Sequence, residues 1–137
     1  MSTLLAKAKL KPEFEDFFED IARKVFRSTH DNESAVVRYE YYRGTDERTY
    51  YVLLSFENFD GFMTHQVADY HHNVDFMDCF EEFRLEWLDP VKGASPLVES
   101  ETEGTVDPSH DDLWNNYVRN HSETTPKWWL SLRSKNS

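Results

Sequence analysis

One cysteine, Cys79, is all that 137 residues contain, so no intramolecular disulfide framework exists. Positive charge is also scarce. Fifteen Lys and Arg face 26 Asp and Glu, for a formal net charge of −11. Nucleic acid and anionic membrane surfaces repel such a chain, and no basic stripe offsets that repulsion. No apolar run reaches transmembrane length. The opening residues, MSTLLAKAKLKPEF, lack the apolar core of a secretory signal, and a cytoplasmic protein is expected. There is no glycine-rich dinucleotide loop and nothing that obliges a flavin or haem, so no cofactor is expected. His65 and Asp69, with His71, His72 and Asp75 near, lack the spacing of a zinc site, and no metal is expected either.

Aromatic residues, by contrast, are plentiful: 10 Phe, 7 Tyr and 4 Trp. Disordered chains are poor in aromatics, so this one folds. Thr3 to Leu10 alternates as a half-buried strand, with Leu4, Ala6, Ala8 and Leu10 on one face. Phe14, Phe17, Phe18, Ile21, Val25 and Phe26 recur at helical spacing behind Pro12, and acidic residues crowd the first turns. Ala35 to Arg43 and Thr49 to Glu57 are two strands joined at Gly44-Thr45-Asp46-Glu47. The first places Val37, Tyr39 and Tyr41 on the helix-facing side and Val36, Arg38, Glu40 and Tyr42 opposite. Asn58 caps a short helix carrying Phe59, Phe62, Met63 and Val67. Asn73 caps a second, on which Phe76, Phe80 and Phe83 recur at i, i+4 and i+7. Cys79 lies among these rings as a small, inert, buried group. Arg84 to Leu88 is the last strand.

The order β-α-β-β-α-β is the split βαβ arrangement, an α+β ferredoxin-like domain over residues 1–95. One sheet face is nearly all apolar, and the helices cover it. The other mixes Lys7, Arg38, Glu40, Glu57, Arg84 and Glu86 with Tyr51 and Leu53. Its opposite charges suit pairing across a homodimer that closes a barrel. Residues 96–137 form a linker and a C-terminal helical extension. Asp107-Pro108 signals a helix start, Leu113, Trp114, Tyr117 and Val118 make its stripe, and Trp128 and Trp129 follow a break at Pro126. So much exposed aromatic surface must dock, either over a pocket mouth or at the dimer edge.

Three runs carry a resemblance: KLKPEFEDFFEDIARKVFRST, VVRYEYYRG and TYYVLLSFENFDGFMTHQVADYHHNVDFMDCFEEF. With a strand ending in Phe56-Glu57, then His65, then Tyr70-His71-His72, residues 3–90 resemble the antibiotic-biosynthesis-monooxygenase family of dimeric α+β barrels. The resemblance implies cofactor-independent oxygenation of an electron-rich, quinol- or anthrone-like aromatic by O₂. Such chemistry needs an apolar cavity, one base, and donors for a developing oxyanion. His65 and His71 are the candidate bases, expected to titrate near neutrality. Tyr39, Tyr41, Phe56, Phe62, His72 and Trp87 are the candidate substrate contacts. The same residues read blandly as core aromatics and helix caps. A non-redox His acid–base enzyme (cyclase, isomerase or lyase) and a non-catalytic ligand-binding protein are the alternatives on this scaffold.

Overall fold

The computed structural model describes residues 1–72, 76–122 and 125–136, with side chains described up to Arg133. The elements are β1 (Ser2–Leu10), α1 (Glu15–Asn32), β2 (Val36–Arg43), β3 (Thr49–Phe56), α2 (Phe59–Val67), the single turn α3 (Asp69–His72), β4 (Phe80–Trp87), α4 (Asp112–His121) and α5 (Lys127–Asn136). The four strands make one sheet in the order β2-β3-β1-β4. β1 runs antiparallel to both β3 and β4, and β3 antiparallel to β2. β1 and β2 are therefore parallel with β3 inserted between them, the split βαβ topology, and the fold is α+β and ferredoxin-like.

Alternation on β1 decides what the sheet can bury. Leu4, Ala6, Ala8 and Leu10 are buried beneath the helices, while Lys7 is exposed on the far side. α1 sets Phe18, Ala22, Val25 and Thr29 against this face, and Phe17 and Phe26, at the margins of its stripe, stay exposed. Asn58 caps α2 by accepting from the Gly61 N–H at 2.7 Å. The open face carries the exposed Arg38, Tyr42 and Arg84, the half-buried Leu5, Tyr51 and Leu53, and one buried polar pair, Thr3 Oγ1 and Ser55 Oγ, 2.8 Å apart.

Two bulges correct the strand pattern expected from sequence. Val36 faces Phe56 and Arg38 faces Ser55, so Val37 is the extra residue. Val36 packs on the core and Val37 is exposed, the reverse of simple alternation. On the other edge Lys9 faces Glu82 and Leu10 faces Phe80, skipping Glu81. Phe80 and Phe83 belong to β4, not to a helix. The bulge lets residues three apart share a face, which imitates helical spacing. The proposed cap Asn73 lies outside the described residues. Cys79 is buried as expected, its Sγ 2.8 Å from the Phe76 carbonyl oxygen.

The C-terminal third is pinned to the domain. Between β4 and α4 the chain has no regular structure, yet Ser100 and Thr102 are buried. The Thr3 N–H donates to Ser100 Oγ at 3.1 Å, and Thr102 Oγ1 meets Thr125 Oγ1 at 2.9 Å. Gly104 crosses Phe59 so closely that a Cβ there would fall 2.3 Å from its ring. α4 starts after Asp111, whose carboxylate accepts from the Trp114 N–H, and not at Asp107-Pro108, which forms a turn. α5 is clamped by Arg133 on Asp89 and buries Trp129, leaving Trp128 exposed. Among the described residues, no helix is long and apolar enough to cross a membrane.

Candidate functional site

Beneath the helices the aromatic layer is filled at one end and hollow at the other. At the filled end Leu4 sits opposite Leu54 and Trp87. Phe56 stacks on Phe62 at 5.7 Å between centroids, and Phe62 meets Trp87 edge-on at 5.6 Å. At the hollow end β1 presents only Ala6 and Ala8, and a cavity of about 280 Å³ opens above them. Its floor continues with Tyr39, Tyr41, Val52, Leu54 and Leu85. Its roof and rim include Phe18, Gln66, His71, Phe76, Tyr117 and His121. That size lies at the lower end of small-molecule sites and suits one compact ligand. A shallower open groove of about 700 Å³ runs outside, between α1 and β2, and Phe18 and Tyr41 separate the two.

Of the candidate residues, Tyr39, Tyr41, His71 and His72 line this cavity. Phe56, Phe62, His65 and Trp87 do not. They form the packed wall behind it, and the void lies one step along β1 from where the sequence placed it. The hydroxyls of Tyr39 and Tyr41 are hydrogen-bonded to each other. Burial first, then the neighbouring phenol, pushes Tyr39 well above the ordinary range, and burial raises Tyr41 likewise. Both are neutral donors at physiological pH.

His65 is completely buried, its Nδ1 3.1 Å from Oε2 of Glu33, a carboxylate only 7% exposed. A carboxylate only accepts, so Nδ1 carries the proton. Tyr70 donates its hydroxyl to the same oxygen. His65 Nε2 has no hydrogen-bond partner among the described residues. The His65 ring lies 4.4 Å from that of His71, which reaches the cavity. His71 Nδ1 is 3.4 Å from the Gln66 carbonyl oxygen, which fixes the proton on Nδ1 and leaves Nε2 as an acceptor. Burial, helped by His65, lowers the His71 pKa to about 3. The expectation of a histidine titrating near neutrality therefore does not hold for His71, which is a neutral imidazole.

Gln66 and His121, which the sequence did not single out, complete the rim together with Tyr117 of the expected apolar stripe. Gln66 Nε2 lies 2.9 Å from His121 Nε2, and His72 Nδ1 lies 2.8 Å from the Tyr117 hydroxyl. Tyr117 and His121 stack at 5.9 Å on consecutive turns of α4. His121 falls four residues after Tyr117 and extends the stripe already visible in the sequence. That spacing was the available signal. Among the described residues, no group of three or more His, Cys, Asp or Glu side chains could hold a metal ion.

Similar folds are found among solved structures. A Caulobacter crescentus protein is 23% identical, with a TM-score of 0.62, over 66% of this chain and 90% of its own. A Nitrosomonas europaea protein is 12% identical, with a TM-score of 0.61, over 66% and 99%. Both are designated putative antibiotic biosynthesis monooxygenases. Rv0793 from Mycobacterium tuberculosis is 13% identical, with a TM-score of 0.62, over 69% and 98%. At such identities the likeness establishes the fold, and about a third of this chain has no counterpart in these neighbours. No curated protein matches the chain. The family model for antibiotic biosynthesis monooxygenases matches residues 1–74, more than half of the sequence, with β1 to α3 inside it. The chain belongs to the antibiotic biosynthesis monooxygenase family.

Proposed function

We propose that this protein is a small oxygenase that binds an electron-rich aromatic in the 280 Å³ cavity and oxidises it with O₂, without a cofactor. The observation that carries this reading is an apolar void rimmed by a few convergent neutral donors and acceptors, in a chain of this family. His71 Nε2 accepts a phenolic or activated C–H proton from the ligand. An isolated imidazolium is costly in that setting, but one formed beside the ligand anion is paired at once, which offsets the burial that holds the free residue neutral. The Tyr39–Tyr41 hydroxyl pair supplies a donor for the developing oxyanion. The anion then reacts with O₂. Where the reacting group is an activated CH₂, one oxygen atom becomes the new C=O and the other leaves as water with both hydrogens. Carbon gives up four electrons and O₂ takes four, so no further reductant is needed.

His65, held by Glu33, acts behind His71 as a positioning residue. The open sheet face, with Arg38, Glu40, Arg84 and Glu86 beside Tyr51 and Leu53, is proposed to meet a second copy of the chain. Sedimentation as a monomer at micromolar concentration would exclude that.

Oxygen uptake by metal-free protein with a panel of quinols and anthrones tests the activity. One O₂ consumed per product is expected, and His71→Ala should slow turnover by about 10²–10⁴-fold. Ligands that bind in the cavity and are transformed without oxygen uptake would favour the non-redox acid–base reading. Ligands that bind and are never transformed would leave a binding protein.

A further inference from the structure

Gln66 holds two imidazoles at once, and it holds them differently. Its backbone carbonyl takes the Nδ1 proton of His71, leaving that ring an acceptor at Nε2. Its side-chain amide meets the other ring: Gln66 Nε2 can only donate, so His121 Nε2 accepts and the His121 proton resides on Nδ1. Gln66 is only 6% exposed, so its amide is confined where it makes this bond. The His121 ring is fixed from two further sides, edge-on to Phe62 at 5.0 Å and parallel to Tyr117. Nδ1 has no partner among the described residues, and the ring lines the cavity. The rim therefore presents a matched pair, an acceptor from α3 and a donor from α4, clipped to one residue of α2.

We propose that His121, carried on a C-terminal helix outside the family-matched part of the chain, donates its Nδ1 hydrogen to a ligand oxygen in the cavity and so determines which ligands are held, with Gln66 fixing it in the donor tautomer. The proposal rests on the cavity being the ligand site, as in the reading above. Burial lowers the His121 pKa, and the neutral ring has one donor and one acceptor rather than two donors. The groups facing His121 are Gln66 and Phe62 from α2 and Tyr117 from its own helix, with His71 and His72 of α3 on the same wall. None of these carries a negative charge that would draw a second proton to the ring.

Two inert probes of nearly equal shape separate a donor from a mere wall: 1-tetralone, whose carbonyl only accepts, and tetralin, which has no oxygen. Binding to the full chain is measured by calorimetry. The wild type should prefer 1-tetralone, and His121→Phe should weaken 1-tetralone about tenfold, the size of one hydrogen bond, with tetralin changed less than twofold. Gln66→Met keeps His121 and the size of its neighbour but removes the amide donor that fixes the tautomer, and should weaken 1-tetralone by a smaller factor than His121→Phe. A nitrogen-15 spectrum of the wild type, which needs no variant to fold, should show His121 as the Nδ1–H tautomer and its resonance should move when 1-tetralone is added. Equal 1-tetralone affinity in wild type and His121→Phe, an Nε2–H tautomer, or no binding of either probe overturns the proposal. Binding through His121 together with no oxygen uptake from any quinol would overturn the oxygenase reading alone.

Discussion

The filled and hollow ends of the helix-covered layer are built on the same strand and the same face, and they differ by side-chain size at a few positions. Leu4 sits opposite Leu54 and Trp87, with Phe56 stacked on Phe62 and Phe62 edge-on to Trp87. Two and four residues later, Ala6 and Ala8 leave the space that Phe18, Phe76 and Phe80 only rim. A pocket here is an omission of methyl groups from a central strand. The strand that carries it pairs in unbroken register with both neighbours from Leu4 to Ala8.

The largest expected effect breaks the filled end. Phe62→Ala should cost about 3–5 kcal/mol of unfolding free energy, because Phe62 is fully buried among rings that cannot collapse. The matching change at the hollow end, Phe80→Ala, should cost about half as much or less, since its ring is already half-buried and faces space. Equal losses in denaturant titrations would erase the distinction between the two ends. Next comes the converse substitution. Ala8→Leu should fill the void and weaken 1-tetralone at least about tenfold while the fold survives, with overpacking costing about 1–3 kcal/mol. Undiminished binding would move the ligand site elsewhere, the outer groove between α1 and β2 being the first place to look.

Smaller still are the pH effects. With a substrate that does not ionise in the range, kcat/KM should be flat from pH 5 to 8, because His71 stays neutral until about pH 3. A limb between pH 6 and 7 would mean that the hollow end is wetter during turnover than its apolar walls suggest. At the margin of the same end, Arg43 and then the Tyr50 hydroxyl hold Glu19 at a pKa of about 2, below the ordinary 4.5. A depressed carboxylate stabilises the fold fully above its unfolded pKa, and that contribution is lost as the pH falls from about 4.5 towards 2. Glu19→Gln should therefore lose less stability than the wild type between pH 5 and 2.5, measured by thermal melts.

Much of this was legible in the sequence, for reasons that also explain the rest. β1, α1 and the β2–β3 hairpin follow from alternation and helical periodicity, which local sterics and burial enforce. Val37 and Glu81 escaped because a bulge inserts one residue and reverses parity, and nothing in composition marks that step. Phe80 and Phe83 were misassigned for the same reason. Tyr39, Tyr41 and His71 could be found as chemistry-bearing residues on the covered face. His65 could not be told from a cavity residue, because its distance from the void depends on the volumes of Leu4, Ala6 and Ala8. Glu33 follows the end of a helix in an acidic chain, and no local pattern distinguishes it as the one carboxylate buried among the described residues.

The seat of α4 has a consequence for how such a pocket can change over generations. Tyr117 and His121 complete the cavity rim, yet they belong to no strand, and the sheet's register does not depend on them. Substitutions there can alter what the pocket accepts while the fold's slow, non-local strand pairing stays untouched. A lineage could therefore explore new ligands by drift in one terminal helix and keep an ancestral sheet intact.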